Sequence, residues 1–503
     1  MKNYNTDVVL INLNGPLHMT SNYLHALLKR EGILVKTIHF REYEPRSEPP
    51  TNNELEILSN LIKEINPKII NISVNSMNYF DAKDITEKIR GELGIPFIWG
   101  GPHTLVMPEE SIKIADFICR GEGDVYFPEL IKKFIAGEDC SKVPNIWIKR
   151  GLEVIKNEFG PLVKDLDMLP FPDYSDVDKY YLIDSRISTK YEIPSRKYVY
   201  QLMTSRGCPF RCSYCMNSLI FNLFHNKFLR KRGVNSVIEE LVQVKKMHPK
   251  LKTIYFWDDV FVMDLPWLKE FAKVYKEKIN IPFFCYCHPM FVKDETIKIL
   301  KWMGVKMIFI GIESGSPRVR REIYDRHETN DKIIEAATII NKHKIKVHYD
   351  IITSKFDTLK DFDVALHLLL NLPKPFHINH NNLAYYPGFK ITNLALQEKI
   401  ISKQEVAGYS RKIRTQYATK NEFENNPELA YYYLIGRKFI PNQFIFWLYS
   451  HESHLKHKSL FGHIPSLFES FDNNLHALNL MFKLLSYGEF KFVFFELKKR
   501  FFK

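Results

Sequence analysis

The chain has 503 residues, 45% of them hydrophobic and 26% charged, which excludes a disordered or fibrous polypeptide and leaves room for two or three globular domains. Its net charge of +13 is spread along the sequence rather than gathered in one basic tail, and no aromatic-basic RNA module accompanies it, so no nucleic-acid partner is predicted. No run reaches the roughly 18 apolar residues of a transmembrane helix, and the opening "MKNYNTDVVLINLNG" lacks a small-residue cleavage site, so a cytoplasmic location is expected.

The first stretch alternates apolar strand-like runs with amphipathic helical segments, the pattern of a parallel sheet covered on both faces. Strands are predicted at "DVVLINL", "LVKTIHF", "KIINISV", "PFIWGG" and "DFICRG", giving a five-stranded, doubly wound, flavodoxin-like α/β domain over residues 1–140. Ser21 is expected to cap the first helix and Gly32 to end it. Ligands of such sheets bind at the carboxyl ends of the strands. Those ends read "NLNGPLH", "VNSMNYF", "GGPHT" and "RGEGD", rich in the small residues that let a backbone approach a bulky ligand.

Residues 141–195, with the two prolines of "LDMLPFPDY", are expected to form an extended linker. A second alternating series then supplies six βα-type units between residues 196 and 390, the signature of a parallel barrel or partial barrel with its active site at one end. Helix starts are predicted at Ser236, with Glu239 completing a capping box, and at Asp294. From residue 391 to 503 the pattern turns helical and aromatic. The tail "LNLMFKLLSYGEFKFVFFELKKRFFK" reads as a helical cap whose lysine stems cover apolar surface, with peripheral contact to a membrane or lipid substrate as the other reading.

The seven cysteines are odd in number and without a regular framework, which argues against disulfides. Cys119 and Cys140 read as ordinary thiols. Cys208, Cys212 and Cys215 fall within eight residues of "TSRGCPFRCSYCMN" and read as metal ligands. Two sites compete for them. A structural zinc would take His225 as its fourth ligand. A cubane iron–sulfur cluster held by three thiolates would keep one iron open for a substrate.

Cys208-x3-Cys212-x2-Cys215, after the first strand of the second series and with Tyr214 before the last cysteine, resembles the radical S-adenosylmethionine (SAM) superfamily. The resemblance implies a 4Fe–4S cluster whose open iron binds SAM. Reductive cleavage then yields a 5′-deoxyadenosyl radical, with a flavodoxin or ferredoxin as the reductant. It also implies that Asp258 and Asp259, at the end of the next strand, hold the methionine amino group, and that Glu313 and Ser314 of "GIESGS" contact the ribose or methionine. Where relatives have a Gly-x-Pro-Gly-like turn, this chain carries Thr353, Ser354 and Phe356.

"WGGPHTLVMPEE", "ADFICRGEGDVYFPELI" and "LDMLPFPDY" resemble the cobalamin-binding domain and linker of one large subgroup of that superfamily. Ser73, Asn75, Gly100, Gly101 and Gly121 are the implied cobalamin-lining residues. Asp-x-His-x-x-Gly, which carries an axial histidine in other cobalamin domains, is not matched around His18, which has Pro16 two before and Ser21 three after it. The subgroup implies a C-methyltransferase acting on an unactivated carbon of a small molecule, lipid or peptide. Radical cyclisation, rearrangement or oxidation without methyl transfer is the nearest alternative, and a non-catalytic metal- or RNA-binding protein is the reading from another class. Cys285 and Cys287 share one face of a strand by its two-residue period, where a second cluster, a hydrogen-donating thiol and core packing are all open. Tyr324 and Arg326 read either as pocket lining or as a cap of the next helix.

Overall fold

The computed structural model describes residues 5–13, 15–16, 18–42, 48–191, 198–224, 229–407, 435–436, 440–443 and 445. The chain forms two compact units. One takes residues 1–191, 205–236 and 384–418, and the other takes 192–204, 237–383 and 419–503.

The first unit is built on β1 (Thr6–Asn12), β2 (Val35–Phe40), β3 (Pro67–Ser73), β4 (Phe97–Gly100) and β5 (Phe117–Cys119). These strands are parallel in the order β5-β4-β3-β1-β2, the flavodoxin-like arrangement expected. The core lies on both faces, with Val9, Ile70 and Trp99 in one layer and Val8, Ile69 and Ile98 in the other, as continuous apolar strands require.

The stretch expected to be a linker instead extends this sheet. β6 (Ile146–Arg150) and β7 (Glu153–Lys156) add antiparallel beyond β5, while β8 (Lys179–Ile183) pairs parallel to β2 and carries β9 (Arg186–Ser188) at the far edge. The prolines do keep "LDMLPFPDY" out of the ladder. Only Leu166–Met168 forms a short turn of 3-10 helix there, capped by Asp165.

The second unit holds one parallel sheet among the described residues. Its strands are β10 (Val199–Leu202), β13 (Thr253–Phe256), β14 (Phe283–Cys287), β15 (Val305–Glu313), β16 (Lys346–Thr353) and β17 (His377–Asn382), in that order. Their number matches the six βα-type units expected between residues 196 and 390, and the monotonic order is that of an open partial barrel. A two-stranded ribbon of β11 (Ser205–Arg206) and β12 (Arg230–Lys231) belongs to the first unit.

Three predicted caps shift by up to three residues. His18, not Ser21, is the N-cap of helix Met19–Arg30, and Ser21 instead donates its hydroxyl to the His18 carbonyl at 3.2 Å. Helix Val234–Met247 begins ahead of Ser236, and helix Asp294–Met303 is preceded by Lys293. Capping boxes do occur at Thr51 with Glu54 and at Thr358 with Asp361.

Beyond the second sheet, helices Lys390–Gln397 and Lys403–Ala407 are described, and Ile391, Thr392 and Ala395 are buried. The Phe- and Lys-rich tail proposed for lipid contact lies outside the described residues, as does His225. Among the described residues no helix is long and apolar enough to cross a membrane.

Candidate functional site

The ends of β3 and β4 are in register, with Ser73 opposite Gly100. Immediately after them the Gly101 backbone turns at φ +92, where a Cβ would lie 2.7 Å from the Val74 carbonyl and 3.1 Å from Ser73 Oγ. Only glycine accepts that conformation and that approach together. A Cβ on Gly100 would meet nothing closer than 4.0 Å, so this strand end is an open shelf. Asn75 closes the loop after β3, its side chain accepting from Met77 N at 2.9 Å and Asn78 N at 3.0 Å. Gly121 follows β5 at φ +79, with Phe159 and Phe224 about its Cα. Ser73, Gly100 and Gly101 are thus brought together, and Asn75 and Gly121 lie on the same carboxyl edge. A glycine shelf fits a large flat ligand better than a row of side chains would.

His18 sits on that edge too, at the start of the first helix. Burial lowers its pKa to about 4, so the imidazole is neutral, and its Nδ1 is buried without a hydrogen-bond partner.

The three-cysteine loop leaves the ribbon at Gly207, whose φ is +94. Its end is fixed by backbone geometry: Cys215 N donates to the Cys212 carbonyl at 3.0 Å, and Ser218 Oγ donates to the same carbonyl at 2.7 Å. Helix Met216–Phe224 starts one residue after Cys215, and the Arg211 guanidinium stacks 4.0 Å from the Phe221 ring. Cys212 is buried, while Cys208, Cys215 and Tyr214 are half-buried. Ile391 N reaches the Ser213 carbonyl at 3.2 Å, so the segment after the second sheet braces the loop.

No disulfide joins any of the seven cysteines. Among the described residues no three Cys, His, Asp or Glu side chains converge as they would on a single metal ion. A cubane does not require that convergence, because each thiolate binds a different iron, and three soft sulfur donors suit it.

At the end of β13, Asp258 is fully buried and Thr204 occupies its carboxylate. Thr204 N donates at 3.0 and 3.1 Å and Thr204 Oγ1 at 2.6 Å, pinning the end of β10 to the neighbouring strand. Asp259, the next residue, is exposed. At the end of β15 the register shifts, Glu313 takes φ +65, and its carboxylate lies 3.8 Å from Arg326 Nη1. A non-glycine residue in that region is a site of backbone strain.

Arg326 also donates to Glu328 Oε1 and to the Gly311 carbonyl, both at 2.7 Å. Tyr324 is fully buried and bonds the Ile352 carbonyl at 3.2 Å, so both residues read before as pocket or cap are internal struts. Ser314 is buried, and its carbonyl accepts from Arg320 at 2.5 Å. In the segment that replaces the Gly-x-Pro-Gly-like turn, Thr353 Oγ1 donates to Asn382 Oδ1 at 2.8 Å, and Ser354 N and Oγ bond Asp357 at 2.7 and 2.8 Å. Phe356 is buried, and its carbonyl accepts from Arg318 at 2.7 Å.

The two faces of the second sheet differ. Phe256, Phe283, Cys285 and Cys287 are buried. Phe256 packs against Phe271 and Tyr275 of helix Leu265–Lys278, and it is in register with Cys285. Cys285 and Cys287 are therefore on the helix-covered face rather than inside the barrel, and burial raises the Cys285 thiol well above its usual range.

The alternate residues form a ladder on the opposite face. Tyr255 stacks on Phe284 at 4.6 Å, Tyr286 on Phe309 at 4.9 Å, Trp257 lies 5.5 Å from Tyr286, and His348 lies 5.3 Å from Phe309. Asp350 shares this face; burial raises its carboxyl pKa, and Asn379 Nδ2 donates to it at 2.8 Å. Sequence reasoning missed this wall, although the period-2 spacing in "TIYFW" and "FFCYC" carries it.

The profile of the B12 binding domain matches residues 7–131, and that of the Radical SAM superfamily matches residues 202–369. An uncharacterised methyltransferase of Pyrococcus horikoshii is 27% identical over 52% of this chain and 55% of its own length. Cytidylyl-2-hydroxyethylphosphonate methyltransferase of Streptomyces wedmorensis is 24% identical over 64% of this chain and 66% of its own length. The chain thus spans between half and two thirds of these curated relatives. The solved structure of OxsB, a cobalamin-dependent SAM radical enzyme with aqua-cobalamin and SAM bound, superposes with a TM-score of 0.64 at 16% identity, over 94% of this chain and 75% of that one. The two profiles fall on the two parallel sheets of one chain, and the protein belongs to the cobalamin-dependent radical SAM enzymes, whose cofactors are a 4Fe–4S cluster, SAM and cobalamin.

Proposed function

We propose that the protein is a methyltransferase that transfers a methyl group from SAM to an unactivated carbon of an organic substrate, with the substrate held against the aromatic face of the second sheet. The observation that carries this reading is the pairing, in one chain, of a glycine-shelved B12-type sheet with a three-thiol loop of radical SAM spacing. The two relatives described above are named methyltransferases, whereas two others, 23% and 24% identical, are named anaerobic magnesium-protoporphyrin IX monomethyl ester cyclases, so cyclisation is the alternative that the methyl-label test decides.

When bound, the cluster and SAM supply a carbon-centred radical and cobalamin supplies a transferable methyl group. The chain's own part is to bind and orient. Cys208, Cys212 and Cys215 hold the cluster. Tyr214, Asp259, Glu313 and Ser314 are assigned to SAM. Asp258 acts one step back, through Thr204, by fixing the strand end ahead of the cysteine loop. Ser73, Asn75, Gly100, Gly101 and Gly121 line the cobalamin edge. Tyr255, Trp257, Tyr286 and Phe309 offer ring faces to an apolar or planar part of the substrate. Asp350, whose carboxyl pKa burial raises, is the acidic group on this face and accepts from Asn379. A ferredoxin- or flavodoxin-type protein is the reductant.

The test is anaerobic reconstitution with iron and sulfide, followed by SAM carrying an isotopic label in its methyl group. A cluster absorbance lost in Cys208→Ala, Cys212→Ala or Cys215→Ala, together with label in the product, is the expected result. Stoichiometric zinc without cluster absorbance would refute the enzyme reading, and an unlabelled product would replace methyl transfer by cyclisation or rearrangement.

A further inference from the structure

The ribbon that leads into the cysteine loop places two arginines opposite each other, Arg206 on β11 and Arg230 on β12. Both reach the acidic pair of "RGEGD", the loop after β5 that contains Gly121. Arg206 Nη1 donates to Asp124 Oδ2 at 2.6 Å and to Glu122 Oε2 at 3.1 Å, and its Nη2 donates to Asp124 Oδ1 at 3.2 Å. Arg230 Nη1 donates to Glu122 Oε2 at 3.0 Å and to the Val163 carbonyl at 2.7 Å, and its Nη2 donates to Glu122 Oε1.

Tyr23, from the first helix, donates its hydroxyl to Asp124, and the Arg206 guanidinium lies 5.5 Å from its ring. Burial alone would raise the Asp124 carboxyl, but the Arg206 charge outweighs it and keeps the carboxylate ionised below its usual range. Asp124 is almost fully buried and Arg230 nearly so, so this is a desolvated network and not a surface pair. Two further contacts clamp the returning strand: Gly233 N donates to Asp167 at 2.9 and 3.0 Å, and Arg232 lies 5.3 Å from the Phe171 ring.

One residue separates Arg206 from Cys208, and Gly121 is next to Glu122. We propose that Glu122 and Asp124 are positioning residues that tie the cluster loop to the cobalamin edge, so that filling either site orders the other. This inference rests on the roles proposed for the three cysteines and Gly121. Two sites joined through one rigid network share a coupling free energy, and the coupling is reciprocal. A purely structural ion cluster would hold the loops together but would leave the two affinities independent.

The full-length chain is titrated with hydroxocobalamin before and after anaerobic iron–sulfide reconstitution. The expected result is a gain in cobalamin affinity of about fivefold or more on reconstitution, which disappears in the Glu122→Gln, Asp124→Asn double variant. Independently, amide hydrogen exchange across residues 205–216 of the unreconstituted wild type slows when hydroxocobalamin is added. Exchange across β1 and β3 reports whether the variant is folded; if it is not, the wild-type exchange measurement decides. Equal affinity in the two states, with unchanged exchange in the cysteine loop, overturns the coupling and leaves the cofactor assignment standing. Absence of hydroxocobalamin binding in either state overturns both.

Discussion

Single atoms decide whether the glycine shelf exists. At Gly101 an added methyl group meets the Val74 backbone first, which cannot swing away as a side chain can, and the positive φ penalises any L residue. Gly101→Ala is expected to cost roughly 1–3 kcal/mol and to weaken cobalamin binding, read as a lower thermal midpoint and a higher Kd for hydroxocobalamin. Asp258 makes the opposite kind of contribution, through what it accepts. Asp258→Ala strands the Thr204 N–H and hydroxyl in a buried site and should destabilise by about 1–3 kcal/mol, while Asp259→Ala should leave stability unchanged and raise the KM for SAM. The difference between these adjacent aspartates could not be seen in "FWDDVF", because it depends on a partner 54 residues away.

Within a strand, alternation separates packing from recognition. Phe283 is buried among Phe256, Phe261 and Tyr275, and Phe283→Ala should cost about 3–5 kcal/mol in chemical denaturation. Two of the three residues that follow it outward, Phe284 and Tyr286, lie on the opposite, half-buried face. Tyr286→Ala is expected to spare most of the stability and to raise the substrate KM, a split that a purely structural ladder would not produce. The strands themselves were legible, since each is a β-branched or aromatic run bounded by turn residues. Which face points to the helices was not, because "FFCYC" is apolar on both sides and its period does not say which side is covered. The extended reading of residues 141–195 failed for a related reason. β6 to β9 are short edge strands, and edge strands are defined by the neighbour that accepts them more than by their own pattern.

Across the molecule, several buried histidines couple folding to pH. Burial lowers His18, His25, His103 and His380 from 6.5 to about 4. Each is neutral in the folded chain, whereas the unfolded chain protonates near pH 6.5. The stability they contribute is therefore fully present above that pH and is lost as pH falls from 6.5 toward 4, by at most about 3 kcal/mol per group. The thermal midpoint should fall steadily through that window, and His25→Gln should flatten the decline.

The fold class and the cysteine triad were legible because they rest on periodicity and close spacing. The Arg206–Asp124 network was not, since its members are 82 residues apart and each reads alone as an ordinary surface charge. The first unit is assembled from three separate stretches of chain, interrupted by residues 192–204 and 237–383 of the second. In genetic terms β13 to β17, five of the six strands of the second sheet, form a cassette, with β10 outside it. Exchanging it for a homologous segment needs two crossover points, near residues 237 and 383, and carries over the aromatic wall. Cys208, Cys212 and Cys215, both arginines and their acidic partners all stay behind in the recipient. A single crossover between these points would divide β13 to β17 between two parents, whereas the double exchange leaves one new pairing to be met, that of β10 with β13.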